Sequence, residues 1–190
     1  MPRPSPYRAD ERLDDWIARP AVRTHHRRSA EATPEALWEA ARTVRLSDTR
    51  TLERLVRWRI PDVPPTQSFD ELFRTYPFTL LDAGDTWSVS GLCGRIWTLA
   101  RDYPRLSGPE AFRDWDESGT VRVLFAHWAE RGADGRAELV SEARVDPVDA
   151  AARLRLRSLW TVIGPFERLV GAEPLAVAVR RAEETSTAAG

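Results

Sequence analysis

Two stretches of alternating apolar and polar residues, 120–130 and 136–146, constrain the fold of this chain more than any other feature. A period of two residues is typical of a β-strand with one face toward a core and one toward water. Residues 131–135 between them include two glycines and predict a hairpin turn. If the numbers of each pair of opposite residues add up to an even number, the odd-numbered residues of both strands share one face. That mostly apolar face comprises Val121, Val123, Phe125, His127, Ala129, Ala137, Leu139, Ser141, Ala143 and Val145. The even-numbered residues are largely charged, so the other face is predicted to be wet.

A shorter hairpin is predicted over residues 78–89. If Ala83 and Gly84 form a two-residue turn, Leu80 lies opposite Trp87 and Phe78 lies opposite Val89. These four side chains give a second apolar sheet face, which we expect to join the first.

Helical patterns precede these hairpins. A strand over residues 21–30 leads to Thr33 and Pro34, which are typical of a capping residue and a first helical position, and a helix is predicted over residues 34–44. Shorter helices are predicted after Asp48 and over residues 69–74.

The last predicted element is a long C-terminal helix that starts near Asp149. Leu156, Trp160 and Ile163 lie on its apolar face, and Gly164 with Pro165 predicts a bend. We expect a second interruption near residues 171–174.

A short amphipathic helix is predicted over residues 10–19. Its apolar stripe, Leu13, Trp16 and Ile17, is a candidate cover for Leu124 and Trp128, the two apolar exceptions on the wet face. The predicted organisation is an N-terminal extension with this helix (residues 1–20), one α+β domain (residues 21–182) and a disordered tail (residues 183–190).

Composition narrows the class of protein. The formal net charge of the 190-residue chain is -1, so charge does not predict a nucleic-acid partner. All 28 basic residues are Arg, which is typical of a GC-rich bacterial coding sequence. Cys93 is a lone cysteine, the N-terminus has no secretory pattern, and no apolar run approaches the roughly 20 residues of a membrane span. We therefore expect a cytoplasmic protein that is not integral to a membrane.

Three segments resemble a known superfamily. They are residues 32–38 (ATPEALW) after the first strand, residues 91–97 (GLCGRIW), and residues 141–145 (SEARV) leading to Asp149 and Arg153. With the element order, they resemble the START-like (SRPBCC) superfamily of polyketide cyclases and lipid-transfer domains. The resemblance implies a helix-grip fold, in which a curved antiparallel sheet wraps a long C-terminal helix around a cavity. It implies no reaction, because the superfamily shares no catalytic motif.

Few residues suggest chemistry. His25 and His26 are neighbours in a strand, so they should point to opposite faces and are poorly placed to share a metal ion. Cys93 has only Arg95 nearby to activate it, which favours an inert, buried thiol.

His127 interrupts the apolar face, where it is either a satisfied core histidine or a ligand contact. The run Arg153, Arg155, Arg157 is interpreted as a solvated surface with acidic partners. No cofactor and no metal site is predicted.

Three hypotheses follow for function. The first is a carrier or binding protein for a small hydrophobic or aromatic molecule, with a pocket lined by Phe78, Leu80, Trp87, Val89, Trp97, Phe125, His127, Leu139, Ser141, Leu156, Trp160 and Ile163. The second is a cyclase, aromatase or dehydratase with His127 as acid or base and Arg95 or Tyr103 holding a substrate oxygen. The third is a protein-interaction partner that uses an apolar patch around Trp128. The sequence leaves a homodimer open.

Overall fold

A computed structural model describes residues 9–59, 63–98 and 103–188 of the chain, without the side chains of residues 9–11, 55, 58, 59, 162–171 and 188. In chain order the elements are α1 (Ala9–Asp14), β1 (Val22–Ala30), α2 (Pro34–Arg42), a 3₁₀ turn (Leu46–Asp48), α3 (Thr51–Arg59), α4 (Phe69–Leu72), β2 (Thr79–Gly84), β3 (Trp87–Gly94), α5 (Pro109–Arg113), β4 (Val121–Arg131), β5 (Ala137–Pro147) and α6 (Ala150–Ala188). The predicted fold class is confirmed, since a curved antiparallel sheet packs against a long C-terminal helix.

The five strands form one antiparallel sheet in the order β1-β5-β4-β3-β2. In the β4–β5 hairpin, His127 lies opposite Ser141 and Phe125 lies opposite Ala143. Odd-numbered residues of β4 therefore lie opposite odd-numbered residues of β5 and share one face with them, as the alternation of the sequence predicts. Neighbouring β1 continues the same face, because His26 lies opposite Ser141 and His25 lies opposite Glu142. The two adjacent histidines thus point to opposite sides of the sheet.

The predicted turn of the first hairpin is wrong. Strand β2 continues through Gly84, which pairs with Trp87, and the strands are joined by Asp85 and Thr86. A Cβ atom built on Gly84 would lie 2.2 Å from Nε1 of Trp87, so this glycine makes room for an indole ring that crosses the strand. Its role is close packing within the strand rather than a turn.

This shift moves two predicted pocket residues to the other side of the sheet. Trp87 pairs with Trp128, and Ser88 pairs with His127, so odd-numbered residues of β3 share a face with even-numbered residues of β4. Trp87 and Val89 consequently belong to the face that includes Trp128. A bulge between Leu80 and Asp82 places Leu80 opposite Ser90, on the side of His127.

We call the side that includes His127 the inner face and the side that includes Trp128 the outer face. The outer face is covered by the N-terminal helix, as its apolar stripe predicts. Leu13 and Ile17 pack in one buried cluster with Trp128 and with Phe112 of α5. A region expected to be wet is therefore a second core layer.

Two charged residues lie buried in this second layer. Arg144 and Glu142 are each 1% exposed, and Nε of Arg144 donates to Oε1 of Glu142 at 2.6 Å. Nη1 of Arg144 also donates to the carbonyl of Ile17 at 2.7 Å and forms an ion pair with Asp14. Burial by itself would raise the pKa of Glu142, but hydrogen bonds from Arg23, Arg144 and His25 lower it overall. The expectation that Glu142 lies in water is wrong, because α1 closes over it.

The inner face is covered by α6, which begins directly after Asp149. This carboxylate accepts hydrogen bonds from the backbone N–H of Ala152 (2.7 Å), from Oγ of Ser118 (2.6 Å) and from the N–H of Gly119 (2.7 Å). These donors lower the pKa of Asp149 to about 2, so it is ionised whenever the protein is folded near neutral pH.

α6 is a single helix from Ala150 to Ala188, and the tail expected to be disordered from residue 183 is helical up to Ala188. The predicted bend at Gly164 and Pro165 falls among residues whose side chains lie outside the described ones. Within the described residues, no helix has both the length and the apolar character of a membrane span.

Truncating Leu13 tests whether α1 belongs to the folded core. Leu13 is 0% exposed, and Leu13→Ala should lower the free energy of unfolding by about 2–5 kcal/mol. Leu154, which is 66% exposed on α6, offers the same substitution without burial, and Leu154→Ala should stay within about 0.5 kcal/mol of the wild type. Urea unfolding measures both variants. Equal effects would show that α1 adds no core packing.

Candidate functional site: a groove between β1 and α6

A groove of about 350 Å³ lies between the start of β1 and the first turns of α6. Its lining residues are Ala21, Val22, Arg153, Leu156, Arg157, Trp160 and Thr161. The strand side and the helix side come from opposite ends of the chain, so the groove exists only when the sheet grips the helix. Its volume lies in the range of about 300–1,000 Å³ that is usual for small-molecule sites.

The groove has a wet rim and an apolar floor. Arg153, Arg157 and Thr161 on the rim are exposed. Leu156 on the floor is 1% exposed, and Val22 and Trp160 are half-buried beside it. A ligand in this space would therefore meet apolar surface at depth and two guanidinium groups at the mouth.

The inner face of the sheet carries a polar row further along the strands from this groove. His26, Ser141, His127 and Ser88 are successive cross-strand neighbours on β1, β5, β4 and β3. Apolar and aromatic residues flank the row, and Phe125 contacts Phe78 with ring centroids 5.6 Å apart. Phe78, Leu80, Phe125 and Ser141 are only half-buried, so the inner face is incompletely covered.

His127 lies at the filled end of the inner face. Its ring contacts Phe69 and Phe73 at centroid distances of 4.9 Å and 4.7 Å. The cavity beside it, lined also by Ser88 and Trp38, has a volume of about 20 Å³, which is the space of one water molecule. Burial lowers the pKa of His127 to about 3, so the imidazole is neutral at pH 7 and is a weak base.

The residues named for the enzymatic hypothesis are not brought together. The ring of Tyr103 packs against Gly94, which pairs with Val121 on β4. His127 lies six residues further along the same strand (121 to 127), a separation of about 20 Å at roughly 3.3 Å per residue. Arg95 is exposed, and its Nη2 lies 3.8 Å from Oε1 of Glu117. The structure thus separates the predicted acid or base from both predicted oxygen-binding groups.

Only some of the predicted pocket residues line the groove. Leu156 and Trp160 do, whereas Leu139 and His127 line the small cavity near α2, and Trp97 packs beside Leu156 in the adjoining core cluster. Ile163 lies outside the described side chains.

Sequence reasoning missed five groove residues: Ala21, Val22, Arg153, Arg157 and Thr161. Val22 is the first inner-face residue of β1, and strand alternation could have identified it. The two arginines were expected to have acidic partners, but within the described residues their side chains have neither a hydrogen bond nor an ion pair.

The remaining reactive groups carry no site. Cys93 is 1% exposed, and burial raises the pKa of its thiol to about 12, which fits an inert core residue. Nδ1 of His25 donates a hydrogen bond to Oε2 of Glu142 at 3.2 Å on the outer face. Among the described residues, no three His, Cys, Asp or Glu side chains are grouped so as to hold a metal ion.

The strand order and the α6 helix that packs on the inner face give the chain a helix-grip fold. Solved structures with a similar course of chain include a hypothetical protein from Helicobacter pylori (TM-score 0.40, 10% identity, 89% of this chain and 93% of that one). An aromatase/cyclase from Streptomyces sp. R1128 is also similar (TM-score 0.36, 16% identity, 89% of this chain and 98% of that one). So is the Aha1 dimer from Colwellia psychrerythraea (TM-score 0.29, 12% identity, 79% and 96%). No protein-family model and no curated protein sequence matches the chain.

The buried imidazole predicts a specific pH dependence of stability. The pKa of His127 is about 3 in the folded protein and near 6.5 in the unfolded chain, so protonation favours unfolding. The contribution of the neutral imidazole to the free energy of unfolding is complete above pH 6.5 and falls as the pH drops toward 3. Between pH 7 and pH 5 the loss should be about 2 kcal/mol.

Urea unfolding of the wild type and of His127→Gln at both pH values measures this contribution. The difference in unfolding free energy between the two proteins should narrow by about 2 kcal/mol at the lower pH. Glu142 and Asp149 have lowered pKa values, so their carboxylates stay ionised between pH 5 and pH 7 and do not change the stability in this range. A variant with the pH dependence of the wild type would contradict the assignment.

Proposed function

We propose that this protein binds a small, largely apolar molecule, aromatic or aliphatic, in the groove between β1 and α6, and acts as a binding or carrier protein. The observation that carries the proposal is the groove itself, about 350 Å³ in volume with Leu156 buried on its floor and Trp160 beside it. Covering this apolar surface with a ligand removes it from water, at roughly 25 cal/mol for each Å².

The half-buried inner face supports a ligand that reaches inward from the groove. Val22 packs in the same apolar cluster as Leu156, Phe78 and Phe125, so the floor of the groove is continuous with the aromatic residues of the inner face. Ser141 and His26 of the polar row offer hydrogen-bonding groups next to these rings. An aromatic ligand with a hydroxyl or carbonyl group would suit this surface.

Neither alternative function has an observation in its favour. A cyclase-like reaction through His127 requires a polar partner, and Arg95 and Tyr103 lie near the other end of β4. An interaction surface around Trp128 requires exposure, and Trp128 is 2% exposed beneath α1. The binding function is therefore the one that the geometry supports best.

The neutral dye N-phenyl-1-naphthylamine tests the proposal, because its emission rises when it enters an apolar site. We expect saturable binding to the wild-type protein. Thr161→Trp should weaken binding at least about tenfold, since the new indole ring occupies the rim, and tenfold corresponds to about 1.4 kcal/mol.

Ser158→Trp is the matched control. Ser158 and Thr161 are both exposed on α6, and each hydroxyl donates to the carbonyl four residues earlier, but Ser158 does not line the groove. This variant should bind the dye as the wild type does, with both variants unfolding at wild-type urea concentrations. Absence of saturable binding by the wild type, or equal loss in both variants, would overturn the proposal.

A further inference from the structure

The two arginines at the mouth of the groove are arranged as a pair. Arg153 and Arg157 are four residues apart on α6, so their side chains emerge from the same face of the helix, one turn apart. Both line the groove and both are exposed. Two guanidinium groups so placed present a fork of N–H donors toward one space.

This pair is unfavourable for the protein alone. Like charges four residues apart on a helix repel each other, and cations are disfavoured near the positive N-terminal end of a helix. Arg153 is the fourth residue of α6, and Arg157 is one turn further on. Within the described residues, neither side chain forms an ion pair that would offset this repulsion.

Asp149, the acidic residue nearest in sequence to the pair, is already occupied. Asp149 lies one turn before Arg153, and both of its oxygens accept hydrogen bonds, from Ala152, Ser118 and Gly119. Arg155, between the two groove arginines in sequence, points elsewhere, and its guanidinium carbon lies 5.9 Å from the ring centroid of Trp97. An anion at the mouth of the groove would therefore meet two positive groups and no free carboxylate among the described lining residues.

We propose that the ligand of this groove is an amphipathic organic anion, whose carboxylate or phosphate group is bound by Arg153 and Arg157 and whose apolar body lies on Val22, Leu156 and Trp160. This inference rests on the proposed binding function and adds to it the charge of the ligand. Planar guanidinium groups bind carboxylate and phosphate oxygens through paired, charge-assisted hydrogen bonds. The apolar floor excludes inorganic ions as the preferred ligand, because they leave that surface in water.

The test measures displacement of N-phenyl-1-naphthylamine by three naphthalene compounds that share one ring system. These are 2-naphthoate, 2-naphthyl phosphate and the uncharged 2-naphthamide. For the wild type, we expect the anions to displace the dye at concentrations at least about tenfold lower than the amide. Whichever anion is preferred identifies the head group, and the preference should decrease as salt is added, since the rim is exposed.

In the double variant Arg153→Gln/Arg157→Gln, displacement is measured against that variant's own dye affinity, and the anions should lose their advantage over the amide. Arg155→Gln, from the same stretch of helix, should keep the preference, which separates a specific pair from the general positive field of α6. Dye binding without a preference for anions in the wild type would overturn this inference and leave the binding function standing. Equal loss of the preference in Arg155→Gln would also overturn it. Absence of dye binding would remove the binding function itself.

Discussion

The pairing of β4 with β5 decides which residues face the interior, and the rest of the structure depends on it. Because His127 lies opposite Ser141, every odd residue of both strands shares the inner face. A slip of one residue would turn one strand over relative to the other, so that either Arg144 and Glu142 would face α6 or Phe125 and His127 would face outward. The groove, the polar row and the core beneath α1 would all be lost together. The sheet register is thus a condition for the site as much as for the fold.

The outer face shows how a charged strand face can still be buried. Arg144 satisfies its guanidinium with Glu142, Asp14 and the carbonyl of Ile17, and Glu142 accepts further hydrogen bonds from Arg23 and His25. A buried ion pair adds little net stability, yet a mispaired one is strongly unfavourable. The network therefore favours one docked position of α1 over others. Leu13 and Ile17 supply the apolar contact that makes docking favourable.

The sequence predicts the architecture well where periodicity alone determines it. The shared face of the odd-numbered residues of β4 and β5, the start of α2 at Pro34 with its Thr33 cap, and the covering of Trp128 by Leu13 and Ile17 are all confirmed. The β2–β3 turn is wrong, because a glycine that precedes an acidic residue is typical of a turn, whereas Gly84 accommodates the ring of Trp87. Nothing local distinguishes these two uses of glycine.

The candidate site is less predictable than the fold, for a related reason. Alternation assigns residues to faces within one hairpin, but the relation between two hairpins depends on how β3 pairs with β4. That register separates Trp87 and Val89 from Phe125 and His127. The groove also depends on where the edge strand β1 meets α6, and Val22 and Arg157 have no sequence relation that reveals their proximity. Long-range packing of this kind leaves no periodic signal.

The distribution of space inside the fold explains why the proposed binding site lies at the edge of the sheet. Toward α2 and α4, the rings of Phe69 and Phe73 fill the inner face against His127 and leave room for one water molecule. Toward the start of β1, the covering residues are the edge strand and the first turns of α6, and there the interior opens between Val22 and Trp160. The buried histidine is accordingly part of the packed end, where its neutral ring is compatible with aromatic neighbours. In the proposed function, recognition of a ligand falls to the open end, where the apolar floor meets Arg153 and Arg157.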